Sequence, residues 1–245
     1  MIKMKLNHII TLLLVIYMSG PAPMYGQEIQ GGIDFQVGLP HGNFKNQMDR
    51  GGIGIGIMGG YRFKDTPVML GLDFGFMNFG SDVREEPLSS TIPDLRVEVE
   101  NSYNFIHGDL LLRFIVPNPD ARIRPYVDGL FGFNHLFTET VIRERRSVGS
   151  ENDLLRDTNF RDTAMNYGIG AGTQVLLFRP RIKDIADGVS VRAVYLNLIG
   201  RHINGGRAEY LKQGSIRRED GEVFFDVSQS RTTMSYIKLG LVVNF

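Results

Sequence analysis

Hydrophobic residues in this chain recur at every second position, the period of a strand whose two faces meet different surroundings. Residues 234–245 show it most clearly: Ile237, Leu239, Leu241, Val243 and Phe245 share one face, while Tyr236, Lys238, Gly240, Val242 and Asn244 share the other. The same alternation predicts seven further strands. Residues 29–38 align Ile33, Phe35 and Val37; 53–63 align Ile53, Ile55, Ile57, Tyr61 and Phe63; 68–79 align Val68, Leu70, Leu72, Phe74 and Phe76. A fourth strand ends in Ile106, Leu110, Leu112 and Phe114. A fifth carries Val127, Phe131, Phe133 and Phe137, and a sixth Met165, Tyr167, Ile169, Ala171, Val175 and Leu177. The seventh, over 189–199, has two competing apolar faces, with Val194, Leu196 and Leu198 set against Val189, Val191 and Tyr195.

The connectors between these strands alternate in length. Those after strands two, four and six, at 64–67, 117–122 and 179–188, are short; those after one, three, five and seven are longer, and the last three are highly charged. A soluble sandwich has no reason to sort loop length by end, whereas a barrel crossing the outer membrane has one periplasmic and one external rim. The predicted fold is therefore all-β: an eight-stranded antiparallel up-and-down transmembrane β-barrel with short periplasmic turns and long extracellular hairpins. Several strands run beyond the 9–11 residues that cross a bilayer, so the hairpins around 95–101, 141–146 and 222–228 are expected to project as a small exposed sheet. Aromatics gather near strand ends, Phe63, Phe114 and Phe245 at one rim and Phe76, Phe137 and Tyr167 towards the other, as in interfacial girdles.

The N-terminus supplies an export address. Lys3 and Lys5 precede an apolar run at 9–18 and a small-residue, proline-containing segment at 19–26, the order of a secretory signal. The apolar run is too short to span a bilayer as a helix. Residues 1–26 are thus expected to be a signal peptide, removed after export through the general secretory route, and 27–245 the outer-membrane β-barrel domain. With no cysteine, neither a lipid anchor nor a disulfide framework is available. Lys plus Arg and Asp plus Glu each number 27, which gives no electrostatic reason to bind nucleic acid. Hydrophobic content of 42% would suit a soluble protein, but a polar lumen dilutes the average of a membrane barrel in the same way.

The face opposite the apolar one is small, polar or charged. It presents Asp34, Arg62, Asp73, His107, Asp109, Arg113, Asp128, Gln174, Arg192 and Lys238. An eight-stranded barrel is just wide enough for side chains to fill it. Ionic groups held there must pair with one another, and four acids against four permanent cations meet that requirement. Glycines 54, 56, 60, 168, 170 and 172 leave room for long neighbours. The interior polar network is therefore expected to be filled and poor in open pore.

Two motifs suggest other chemistry. Gly54-Ile55-Gly56-Ile57-Met58-Gly59 has dinucleotide-binding spacing, but it lies inside an alternating strand and is followed by a turn instead of a helix N-terminus. His107 and Asp109 share a strand face and are metal-ligand types, but no third ligand stands at a recognisable spacing. No serine lies two residues from His135 or His202. No catalytic, cofactor or metal site is expected.

The start Gln27-Glu28, the run Gly38-Leu39-Pro40-His41-Gly42-Asn43-Phe44, the glycine-alternating second strand and the close Leu239-Gly240-Leu241-Val242-Val243-Asn244-Phe245 resemble the small outer-membrane β-barrel family of Bacteroidetes-type bacteria. That group includes PorT-like proteins and, more distantly, OmpX and the OmpA barrel. The resemblance implies insertion by the outer-membrane assembly machinery, with terminal Phe245 as the assembly signal, and it implies no catalytic residues. It also includes members that serve secretion machineries. The expected function is a monomeric structural or protein-interaction component of the outer membrane, contacting lipids around its wall and a protein partner at its hairpins. A narrow channel, or a lipid-modifying enzyme, is the alternative.

Overall fold

The computed structural model describes residues 28–48, 50–64, 66–89, 92–116, 121–144, 153–179, 191–219 and 222–245. The expected signal peptide and its cleavage point lie outside them. Eight strands close a ring: β1 (Glu28–Pro40), β2 (Gly52–Arg62), β3 (Val68–Ser89), β4 (Ile92–Ile115), β5 (Ile123–Glu144), β6 (Asp153–Phe178), β7 (Ala193–Gly205) and β10 (Met234–Asn244). Around the ring the order is β1-β10-β7-β6-β5-β4-β3-β2, and every pairing is antiparallel. The first and last strands seal it, with Gln30 opposite Asn244 and Pro40 opposite Met234. No edge remains where the wall meets lipid, which is the condition for a β-structure to cross hydrocarbon.

The alternation sorts the side chains as a bilayer requires. Leu239 and Leu241 are 49% and 42% exposed on the outer wall, while Asp73, Asp109 and Arg113 are 1–2% exposed within. Ile33, Phe35, Ile55, Ile57, Leu70, Leu72, Phe74, Leu110, Leu112, Phe131 and Ile169 continue the apolar belt. In water such a surface would be an aggregation liability; facing acyl chains it is the stable arrangement. The seventh strand begins and ends later along the chain than its alternation suggested. Leu196 and Leu198 face out, and Tyr195, Asn197, Ile199, Arg201 and Ile203 face in.

The structure adds two features to the eight-strand reading and contains the expected sheet beyond the ring. A six-residue helix, α1 (Gly42–Gln47), interrupts the first long connector. Two further strands, β8 (Arg207–Glu219) and β9 (Glu222–Arg231), form a separate hairpin between β7 and β10. The base of this hairpin leans over the external mouth, where β8 contacts β3, β4, β5 and β6 and α1 contacts β9. That departs from an arm projecting freely outward, because Ala208, Tyr210 and Leu211 are apolar enough to seek cover inside the rim. Finally, β3, β4, β5 and β6 continue above the ring as one sheet, paired from Ser81 with Ser102 through Val97 with Glu144 to Arg143 with Asp153. Gly80, at φ 109°, occupies the register shift between Asn78 and Ser81 where this sheet leaves the wall. A residue with a β-carbon adopts that φ rarely, and a bulge at such a point bends the strand.

Candidate functional site

The site is the barrel's interior, built in tiers from inward-facing positions. At the rim of the short turns, Glu28 near the start of β1 lies 2.6 Å from Arg62 at the end of neighbouring β2. It also reaches across the lumen to Arg124 on β5 at 3.3 Å. Asn244 donates to the same carboxylate, and the Arg124 guanidinium lies 5.1 Å over the Tyr195 ring.

The central tier is a continuous ionic chain. Arg113 donates from Nε and Nη2 to the two carboxylate oxygens of Asp128, at 2.7 and 3.0 Å. Arg201 donates to Asp128 Oδ2 at 3.0 Å and holds its Nη1 2.9 Å from Asp73 Oδ1. Lys238 donates to that same Asp73 oxygen at 2.6 Å and stands 3.7 Å from Asp34. Tyr126 lies 3.8 Å beneath the Arg113 guanidinium and donates its hydroxyl to Asn197 at 2.6 Å. Each charge is thus shared, which is what makes burying it tolerable.

His107 ends the chain. Its Nδ1 is 2.8 Å from Asp109 Oδ2, and its Nε2 is 3.2 Å from Gln36 Oε1. The Gln36 amide nitrogen donates to Ile55 O at 2.9 Å and to Phe76 O at 3.3 Å, which fixes which end of the amide faces the ring. The central tier holds four acids (Asp34, Asp73, Asp109, Asp128) and three permanent cations (Arg113, Arg201, Lys238), with His107 hydrogen-bonded to Asp109 at its end.

Asp34, Arg62, Asp73, His107, Asp109, Arg113, Asp128, Gln174 and Lys238 all lie buried in the lumen. The placement of Arg192 needs correction. It is exposed just ahead of β7, because with Leu196 and Leu198 facing out position 192 has outward parity; Arg201 occupies the interior position instead. Glu28, Gln30, Gln36, Arg124 and Asn197 also line the lumen and were missed. Continuing the Tyr195 parity down the strand through Asn197 would have found Arg201.

The lumen is more apolar than the sequence suggested. Met58, Met69, Met77, Leu111, Leu130 and Ile199 are buried among the polar groups, and unbranched methionine suits irregular gaps of this kind. Near the external mouth Phe44 of α1 packs edge-on against Phe79 of β3 and Tyr210 of β8, at 6.0 and 5.3 Å between ring centres. β3 and β7, from which β8 continues, stand on opposite sides of the ring, so this aromatic layer bridges the opening.

Gly75 shows how tightly the lumen is filled, since a β-carbon there would collide with Gln36 Nε2 and His107 Nε2. Gly75→Val is expected to lower stability by about 1–3 kcal/mol through overpacking. Gly59→Ala, where nothing lies within 4 Å, should change it by less than about 0.5 kcal/mol. Urea-unfolding midpoints in detergent compare the two, and equal midpoints would contradict the filled interior.

Asp73 joins His107 and Asp109 with candidate ligand atoms within 4.8 Å of one another, a third metal-ligand type that sequence spacing hid. Lys238 and Arg201 already lie against Asp73, so fixed cations occupy the place where a metal's charge would act. On the outer wall, Ser235 Oγ lies 2.7 Å from His41 Nε2 and 3.1 Å from His202 Nδ1. This hydroxyl–imidazole row was invisible in sequence, where the partners stand 194 and 33 residues apart. Among the described residues no carboxylate hydrogen-bonds to either ring, so the row lacks the third member of a hydrolytic triad.

No protein-family model and no curated protein matches the chain. Among solved structures it is similar to Neisserial surface protein A, at 12% identity over 90% of this chain and 97% of that one, with a TM-score of 0.41. It is also similar to the Ail attachment invasion locus protein of Yersinia pestis in complex with the heparin analogue sucrose octasulfate, at 13% identity, 89% and 97% coverage and a TM-score of 0.35. A major outer membrane protein from Thermus thermophilus gives 12% identity, 90% and 100% coverage and a TM-score of 0.42. Likeness at this level adds no weight to a reading that rests on the chain's own architecture. A sealed eight-strand ring with a hydrocarbon-facing wall and an ionic lumen is that of an outer-membrane β-barrel protein.

Proposed function

We propose that this barrel is a structural and protein-interaction component of the outer membrane, and that the sheet standing above its ring is the surface it offers. One observation carries the reading. Pairing of β3 with β2 stops at Asn78 opposite Ile53, so β3 beyond that point is laddered, among the described residues, to β4 alone. An open strand edge is a template for strand addition. Arg84, Glu85, Glu86 and Pro87 lie further along it; charge and proline of this kind discourage indiscriminate pairing and leave 81–83 for a selective partner. The close filling of the lumen favours interaction over transport. The likeness to PorT-like barrels extends the role to an accessory of a secretion machinery, with residues 1–26 directing export and Phe245, beside the β1–β10 junction, read by the insertion machinery.

A photo-crosslinking residue at Val83 is expected to capture protein in intact cells, while one at Ile237 on the belt captures lipid. Lipid adducts at both positions would end this reading. The purified barrel should also be silent in planar bilayers, and steady conductance would favour the channel alternative.

A further inference from the structure

We propose that His41, His202 and Ser235, at the external rim of the outer wall, form a binding site for a late first-row divalent cation, Zn²⁺ or Cu²⁺, which pins the start of α1 to the barrel. Ser235 Oγ lies 2.7 Å from His41 Nε2 and 3.1 Å from His202 Nδ1, so two imidazole nitrogens converge on one atom. The rings stand 5.6 Å apart between centres and are tilted by 42°. A hydroxyl has one proton and can donate it to one ring only, whereas a divalent cation accepts a lone pair from each. Neutral imidazole is the commonest protein ligand for metals, and affinity for nitrogen sites climbs along the first row to a maximum at copper. Both rings are exposed, so rotation of their side chains can bring the nitrogens to the roughly 2.0–2.1 Å of a zinc–imidazole bond. Water fills the remaining positions, which makes the site an open one.

The fold fixes all three positions. Ser235 on β10 pairs with His202 on β7 and with Leu39 on β1, and the His41 backbone N–H donates to Thr233 O at 2.9 Å. Three neighbouring segments, distant in sequence, are thus held in register beneath the site. His41 follows the end of β1, Ser235 opens β10 and His202 stands near the end of β7, so the ion arrives from the external side and keeps part of its hydration. The buried Asp73, His107 and Asp109 group differs, because Arg201 and Lys238 already lie against Asp73. His41 is also the N-cap residue of α1, where its side chain makes no capping bond and turns to the wall instead. A cation shared by His41 and His202 therefore holds the start of α1, and with it Phe44, which packs against Phe79 and Tyr210 across the mouth.

The test uses the full barrel without an affinity tag, folded in zwitterionic detergent at neutral pH and titrated with Zn²⁺ and, separately, with Cu²⁺. Calorimetry is expected to show one equivalent bound with a Kd below about 100 μM, Cu²⁺ being the tighter of the two. His41→Gln and His202→Gln should each weaken binding by about tenfold or more. Both positions are exposed, so each variant should keep the heat-modifiable gel mobility of a folded barrel. His135→Gln, at a histidine paired with Thr163 elsewhere on the outer face, should bind as the wild type does. The unaltered protein gives two further readouts. Zn²⁺ should raise its urea-unfolding midpoint, since the ion binds the folded arrangement in preference to the unfolded chain, and should protect His41 and His202 from modification by diethyl pyrocarbonate. Absence of binding, wild-type affinity in the His41 or His202 variant, an equal loss in His135→Gln, an unmoved midpoint or unaltered labelling each overturns the proposal.

Discussion

Asp73→Leu should lower the stability of the folded barrel by about 3–5 kcal/mol, the largest effect expected of any single interior change. Asp73 Oδ1 is the shared acceptor of Arg201 and Lys238, and both cations sit almost fully buried. Leucine fills the space but leaves Arg201 to Asp128 alone and Lys238 to Asp34 alone, 3.7 Å away, in a site largely shielded from solvent. The comparison that isolates this cause is Asp73→Leu together with Lys238→Met. Removing the under-paired lysine should recover part of the loss, because a buried pair replaced by apolar groups is often near neutral in stability, although Asp34 then gives up its own cation. Unfolding midpoints in urea, scored by the gel-mobility difference between folded and unfolded forms in lipid vesicles, measure all three proteins. A single variant as stable as the wild type would show that the central tier carries no energetic weight.

The second large effect belongs to the opposite face. Leu239→Arg places a guanidinium mid-strand on the apolar belt, between Phe35 of β1 and Leu198 of β7. The expected cost is about 2–4 kcal/mol near the bilayer midplane. The same change at Val83, exposed on the sheet above the ring, should alter stability by less than about 0.5 kcal/mol. If both variants unfold at the same urea concentration, the wall around Leu239 is not embedded in lipid.

Much of this architecture was legible in sequence because a strand's period of two is independent of what it pairs with. Ile55 or Leu112 can be assigned to a face without knowing its neighbour. The same logic located Asp34, Asp73, Asp109, Arg113, Asp128 and Lys238 inside the tube. It failed at Arg192 because β7 begins later than its alternation implies, and the competing apolar sets allowed either parity. It also missed α1, a six-residue turn without a side-chain cap at His41, whose Phe44 is held by tertiary contacts instead of local signals. Which groups meet across the lumen was beyond reach altogether. Alternation gives the face but not the facing strand, so the contact of Glu28 with Arg124 and the place of Ser235 between two histidines emerge only in the folded barrel.

The position of Lys238 ties neutralisation of the tube to completion of the chain. This lysine is carried on the last strand, while its partners Asp34 and Asp73 lie on the first and third. A nascent wall lacking that final segment therefore holds Asp34 without its cation and Asp73 with Arg201 alone, and needs water to keep them solvated. Hydration keeps such an intermediate splayed open, and only the arrival of the terminal strand lets it dehydrate and shut. Pairing over so long a sequence separation is also the slow kind. Ring closure and drying of the lumen should consequently proceed as one late event, which favours all-or-none assembly over the accumulation of leaky, half-built pores.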